Sequence, residues 1–318
     1  ISIGDSTVDV FLKVDEATVL CEANHRDCKL CFSYASKIPV KEVHKLIGGN
    51  AANTAIGSAR LGLKSAFYSE VGNDESGKNI FNTMKKNKVN TKYFKLNKTT
   101  ATNYSTIINL GAERTILIYH VKRKYQLPKL EKSKWVYLSS MGEGCETVYR
   151  DLINYLKRNN VKLAFNPGTY QLRQGLKLLK PLFEITEVLL LNKEECQSLI
   201  NNQSDDYKIL LKGMKSLGAK ISVLTDGPKG AFAYDGNRFY SCGVFNVPII
   251  ERTGCGDGFS IAFVCALFYK KDIKEALRWG TANSASIIQY IGPQEGLLDL
   301  KGINKYLERF RNVKAKEI

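Results

Sequence analysis

No apolar run in this sequence approaches the roughly 20 residues that a bilayer-spanning helix needs. The stretch from Ile261 to Tyr269 is among the longest. A membrane-spanning chain is therefore not expected, and no secretory signal is recognisable at the start. The first residue is Ile1 rather than Met, inside what reads as a strand, so a few preceding residues are expected to be missing. Cysteine is scarce as well. Eight cysteines in 318 residues are too few for a disulfide framework, and five of them sit in apolar or structured-looking context. The chain reads as intracellular and reduced, hence cytoplasmic. Cys21, Cys28 and Cys31, with His25 among them, come nearest to metal-ligand spacing. A single Cys-x-x-Cys without a second pair is weak ground for zinc. Acidic residues are outnumbered, 31 against 47 basic ones, for a net charge of +16. Such a balance suits a nucleic-acid binder. The lysines are dispersed, however, as in Lys85-Lys86-Asn87-Lys88, and no basic stripe interleaves with aromatics. A solvated lysine-rich surface is the expectation instead.

What is present points to an enzyme-like cleft. Pro248, Ile249 and Ile250 end an extended segment, and three glycines follow in five positions, Gly254, Gly256 and Gly258. Cys255 and Asp257 lie between them, and an apolar run with helix-compatible composition begins at Phe259. A glycine-rich turn opening a helix aims free N–H groups and the positive end of the helix dipole at an anion. Asp257 is the odd member, because a carboxylate repels a phosphate. Its presence makes sense if it takes a proton from a hydroxyl that attacks a phosphoryl group. A carboxylate that merely caps the helix would give the same pattern.

Earlier in the chain, Gly48-Gly49-Asn50-Ala51-Ala52-Asn53 leads into a small-residue helix. Glycines there let a ligand approach the backbone, and Asn50 and Asn53 suit hydroxyls better than phosphates. Tight helix packing would explain the small residues equally. Gly72 to Lys78 nearly matches the phosphate loop G-x-x-x-x-G-K-[ST], but Asn79 lacks the hydroxyl for Mg²⁺, and Asp74 and Glu75 would sit inside the cradle. It reads as a decoy.

Residues 1–14 read as strand, turn and strand, with Asp9 in the second, and Thr99 to Tyr119 alternates about Gly111 as a hairpin does. From Trp135 onward short apolar strands (Trp135 to Ser139, Leu163 to Phe165, Val188 to Leu191, Ile221 to Leu224) alternate with helical stretches. That alternation predicts an α/β, three-layer, doubly wound and mostly parallel sheet. Residues 1–9, 46–96 and 121–318 form its core; 10–45 and 97–120 form a small β lid. Ligands gather beyond the carboxyl ends of such strands. The residues there are polar or glycine-rich: Asn166-Pro167-Gly168, Asn192 to Glu195, and Thr225-Asp226-Gly227-Pro228-Lys229-Gly230.

Taken together, these motifs resemble the ribokinase-like (PfkB) carbohydrate and nucleoside kinase family over essentially the whole chain. The glycine-asparagine run at 48–53 is similar to its first signature and Thr253 to Phe259 to its second, with Asn192-x-x-Glu195, Thr225 to Gly230 and Ala282-Asn283 in family order. The resemblance implies ATP and Mg²⁺ as cofactors and a small sugar or nucleoside as acceptor. It implies Asp257 as general base and the backbone of Gly254, Cys255 and Gly256 as anion hole. Asn192 and Glu195 would place Mg²⁺ and phosphates, Glu195 through water. Thr225, Asp226, Gly227 and Gly230 would line the nucleotide, with Asn283 near the base or ribose. Asp9, Gly48, Gly49, Asn50 and Asn53 would hold the acceptor. The lid sheet would also form a homodimer contact, as in many relatives. The chain departs from the family in having Glu251-Arg252 where Asp-Thr is frequent. Glu251 could then serve a monovalent cation such as K⁺, while Arg252 adds a charge. A further sugar-binding acid after Trp135 to Ser139 finds no clear counterpart in Ser140 to Glu143.

Overall fold

The computed structural model describes residues 1–21, 28–111 and 113–318. Among them, a nine-stranded sheet forms the centre of the molecule. Its order runs Lys316–Glu317, Phe239–Cys242, Ala231–Tyr234, Ile221–Thr225, Thr186–Asn192, Lys162–Phe165, Trp135–Leu138, Ser2–Ile3, Phe67–Tyr68. From Phe67–Tyr68 through Ile221–Thr225 every pairing is parallel, and the strands beyond are antiparallel.

Period-two alternation divides the strand residues between two apolar layers. Val136, Leu138, Leu163, Phe165, Leu189, Leu191 and Leu224 face one core, under helices Glu146–Asn159, Leu176–Phe183 and Tyr207–Ser216. Tyr137, Ala164, Val188, Leu190 and Val223 face the other, under helices Cys255–Phe268, Ile273–Ile287 and Leu300–Arg309. The expected three-layer α/β arrangement is what forms.

A separate four-stranded sheet has the order Glu113–Tyr119, Asn103–Leu110, Thr7–Lys13, Glu42–Gly48. Its strands start at Thr7 and continue to Gly48, so they run past the expected lid boundaries at 9/10 and 45/46. The chain leaves the central sheet at Ile3, turns through Gly4 to Ser6 and enters this second sheet at once. Asp9 is thus an interior residue of a lid strand, paired with Leu46 and Ser105. The carboxylate just beyond the first core strand is Asp5, held by Tyr125 Oη at 2.8 and 2.9 Å and by the Gly142 N–H at 2.8 Å.

One further expectation meets a different outcome. Cys21 and Cys28 face each other across a small antiparallel pair of strands and are joined in a disulfide, so they are not the reduced cysteines expected. No group of three or more His, Cys, Asp or Glu that could hold a metal occurs among the described residues, and His25 lies outside them. At Gly72 to Lys78, Asp74 caps helix Glu75–Lys86 by accepting from the Gly77 N–H at 2.8 Å. The same carboxylate accepts from Thr102 N–H and Oγ1 at 2.8 and 2.6 Å. Burial works against the charge, but these bonds outweigh it and hold Asp74 below the usual carboxylate range. The positive end of that helix already carries its anion. Lys78 points to solvent. Among the described residues, no helix is long and apolar enough to cross a membrane.

Candidate active site

Helix Cys255–Phe268 brings most of the site together. Gly254 is its N-cap, in the left-handed region at φ 79°. A Cβ there would fall 2.3 Å from Pro293 Cβ, so the turn needs glycine on both counts. The helix closes its first turn with the Gly258 N–H on Gly254 O at 2.9 Å. Apolar packing from Phe259 to Ala266 sinks the helix between the sheet and helix Ile273–Ile287. Gly256 stays exposed, and a Cβ on it would meet nothing within 4 Å.

Two cavities adjoin at Gly256 and Thr225. The larger, ≈ 320 Å³, lies between the turn Thr225, Gly227 and Gly230 and the helix residues Thr281 and Ser284; Arg252 and Cys255 also line it. The smaller, ≈ 110 Å³, is polar, with Asn50, Asn166, Asn192, Glu195 and Asp257 in its wall. Asn192 and Thr225 are register partners at the carboxyl ends of adjacent parallel strands, which explains their meeting here. Asn192 and Glu195 cap helix Lys193–Leu199 reciprocally. Asn192 Oδ1 accepts from the Glu195 N–H at 2.7 Å, and Glu195 Oε2 from the Asn192 N–H at 2.9 Å. Burial raises the Glu195 carboxyl, partly offset by the Asn192 N–H.

Asp257 is buried, and its Oδ2 accepts from Asn53 Nδ2 at 2.8 Å. Burial pushes its carboxyl up to about 7; the Asn53 bond pulls the other way, and the nearby Glu195 and Asp9 charges add to the rise. The Asn53 oxygen is taken too, by Gln294 Nε2 at 3.0 Å. Asn53 thus spends its amide on Asp257 and Gln294. Asp9 is 6% exposed, and its Oδ1 has no hydrogen-bond partner. Burial raises its carboxyl to about 6, with bonds from Ser105 and Thr7 opposing. A Cβ on Gly48 would come within 1.8 Å of Asp9 Oδ2, so a side chain there would displace that carboxylate. Burial also pushes the Cys255 thiol up, which argues against a thiolate there.

Other expected residues stand apart from the cavities. Asn283 is fully buried and ties helices together: its Nδ2 donates to Gly258 O at 2.7 Å, and its Oδ1 accepts from the Leu298 N–H at 2.9 Å. Its neighbours Thr281 and Ser284 reach the larger cavity instead. Asp226 accepts from Tyr207 Oη at 2.8 Å and lies 3.8 Å from Lys193 Nζ. Glu251 is buried, with both oxygens accepting from Thr253, at 2.8 Å from N–H and 2.7 Å from Oγ1. Arg252 approaches Glu113 of the lid hairpin at 3.6 Å, linking lid and glycine turn. Asn166 and Gln294 were absent from the candidates. Asn166 lay in a stretch already noted at a strand end, whereas nothing local marks Gln294.

A family model described as pfkB family carbohydrate kinase matches residues 11–300. The chain belongs to that family. It is 26% identical over 277 residues to an ATP-dependent 6-phosphofructokinase from Thermoanaerobacterium thermosaccharolyticum, covering 81% of this chain and 84% of that protein. Two solved structures share the fold. A nucleoside kinase from Methanocaldococcus jannaschii, an archaeal member of the ribokinase family, superposes with a TM-score of 0.76 at 20% identity, over 97% of both chains. The Arabidopsis thaliana ribokinase complexed with ribose and ATP gives 0.78 at 19%, over 96% of this chain and 97% of that one.

Proposed function

We propose that this pfkB-family chain moves the γ-phosphoryl group of ATP to a hydroxyl of a small sugar or nucleoside. The observation that carries this reading is Asp257: a buried carboxylate with a pKa near neutrality, in the wall of one cavity and next to Gly256, where the second cavity begins. ATP fits the larger cavity, against Thr225, Gly227 and Gly230. The acceptor fits on the side of Asp257 and Asp9. Asp257 removes the hydroxyl proton as the oxygen attacks the γ-phosphorus; the bond to the β-phosphate oxygen breaks and ADP leaves. The N–H groups of Gly256 and of Cys255, the latter turning from its long 3.4 Å bond to Arg252 O, hold the charge on the transferring group.

Mg²⁺ suits the donors of the smaller cavity, which are oxygens of Glu195, Asn192 and Asn166. When bound it would neutralise charge on the β- and γ-phosphates. Glu195 keeps only one oxygen outside its helix cap, which favours contact through water. Glu251 has both oxygens engaged in its own loop and gives no pointer to K⁺. A cytoplasmic location belongs to the same proposal, on the ground that ATP is the donor, although a disulfide such as Cys21–Cys28 is unusual there. An ATP-consumption screen over ribose, fructose, fructose 6-phosphate, 2-keto-3-deoxygluconate, adenosine, inosine and cytidine tests the activity. No consumption with any neutral or acidic sugar or nucleoside would refute it.

The unpartnered Asp9 oxygen is the proposed anchor for an acceptor hydroxyl. A buried hydrogen bond to a charged group is worth about 1–3 kcal/mol, so Asp9→Ala should raise the acceptor KM by about 10- to 100-fold. The KM for ATP should stay within about twofold, since Asp9 does not line the cavity assigned to ATP. Equal rises in both constants would remove Asp9 from the acceptor site.

The lid sheet presents exposed Ile116, Leu117, Ile118 and Val43, at 41, 56, 62 and 61%. We propose a second copy of the chain as the partner that covers them, since exposed edge strands with apolar side chains favour pairing. Sedimentation as a monomer at micromolar concentration, together with full activity, would eliminate the dimer.

A further inference from the structure

We propose that Gln294 is a positioning residue: it locks the Asn53 amide in the one orientation that lets Asn53 donate to Asp257. The inference rests on the reading of Asp257 as general base and deepens it. An ionised carboxylate only accepts hydrogen bonds, so Asp257 Oδ2 requires the amino end of Asn53. That contact is 2.8 Å long, and Gln294 Nε2 donates to the other end of the amide at 3.0 Å. Reversing Asn53 would put its oxygen against the Asp257 carboxylate and its amino group against the Gln294 amino group. With the Gln294 amide in its present orientation both contacts would turn repulsive at once, so the pair discriminates more strongly than either bond alone.

The loop that carries Gln294 is fixed independently of its side chain. Arg60 Nη1 donates to the carbonyls of Gln294 and Leu297 at 2.7 and 3.0 Å, and Arg60 Nη2 to Asn87 Oδ1 at 3.3 Å. Pro293 packs onto Gly254, the N-cap of the helix that carries Asp257. The loop is therefore braced against both ends of the contact it serves. Asn53 donates to Oδ2, and Oδ1, which carries no bond from Asn53, is the oxygen proposed to take the proton.

The other charged or titratable groups around Asp257 are Cys255 on its own helix, Glu195 from helix Lys193–Leu199, Asp9 from strand Thr7–Lys13 and Tyr137 from strand Trp135–Leu138. None of them hydrogen-bonds the Asn53 oxygen, which Gln294 Nε2 holds, so Gln294 reinforces the orientation that the Asp257 carboxylate favours.

The test uses the full chain with the acceptor found by the screen. Gln294→Met keeps length and volume but cannot donate. It should lower kcat about 10-fold, as loss of an orienting partner does, and leave both KM values within about twofold. Gln294→Glu keeps the shape and offers only acceptors. It should invert Asn53 and cut kcat further than Met does. In an Asn53→Ala background Gln294→Met should cost nothing more, because the two residues act in series. Thermal unfolding of each variant checks the fold, and a purely structural role would lower the melting temperature without this non-additivity. Full kcat in Gln294→Met, additive losses in the double variant, or a Glu variant better than Met would each overturn the proposal. Asp257→Asn separates the two levels. Full turnover in that variant overturns both the base and its positioning, whereas loss there with an inert Gln294→Met overturns the positioning alone.

Discussion

Asp257→Asn is expected to lower turnover by about 10²- to 10⁴-fold while ATP affinity stays within about twofold. Asparagine fills the same space and keeps a polar partner for Asn53, so the site should survive while the proton acceptor is lost. The pH dependence gives the same assignment a second test. Burial holds the carboxyl at about 7, so wild-type activity should fall as pH drops below neutrality, when Asp257 becomes protonated. The residual activity of the variant should lack that acid limb. Stability carries the opposite sign. A carboxyl whose folded pKa lies above its unfolded value binds more protons in the native state between the two values. Its contribution is favourable below the unfolded pKa of about 3.9 and is lost as pH rises through about 7. The Asn variant should therefore gain melting temperature relative to wild type at pH 8, and less so at pH 5. Near-normal turnover in the folded variant would falsify the base assignment and leave Asp257 as a helix cap.

The architecture was legible because it rests on local periodicity. Strands such as Leu163 to Phe165 and Val188 to Leu191 carry apolar residues for both faces of a sheet, and the structure distributes them between two cores. The turn at 254–256 was legible for a similar reason, since glycines followed by an apolar run mark a helix start wherever they occur. Three placements at the site were not. Asp9 read as a second-strand residue still within the core because Gly4 to Ser6 looks like an ordinary turn, although the chain changes sheets there. Asn283 and Ser284 are adjacent in sequence but lie on different sides of one helix. Only the packing of Leu298 and Gly258 around Asn283 decides which of them meets the cavity. Gln294 meets Asn53 across 241 residues, and no local pattern encodes such a contact. Long-range hydrogen bonds between side chains are what periodicity leaves out.

Gly256→Val should abolish measurable turnover, by about 10²-fold or more, in a chain that still folds. The two glycines of the turn differ in what they tolerate. At Gly254 a side chain meets Pro293 and a positive φ, so substitution there would strain the turn itself. At Gly256 a Cβ meets nothing within 4 Å, because the residue faces the junction of the two cavities. The valine methyls would project into that space, where the transferring phosphoryl group has to sit against the helix N–H groups. The fold should barely register the change, since the residue is exposed and buries nothing. Calorimetric titration with ATP and Mg²⁺ should show weakened binding, while the melting temperature of the free protein holds within a few degrees. If Gly256→Val binds ATP and turns over normally, the phosphoryl group does not pass Gly256, and the anion hole has to be sought elsewhere along the strand ends. The site would then lie nearer Asn166 and Asn192, and Asp257 would lose its place as the base.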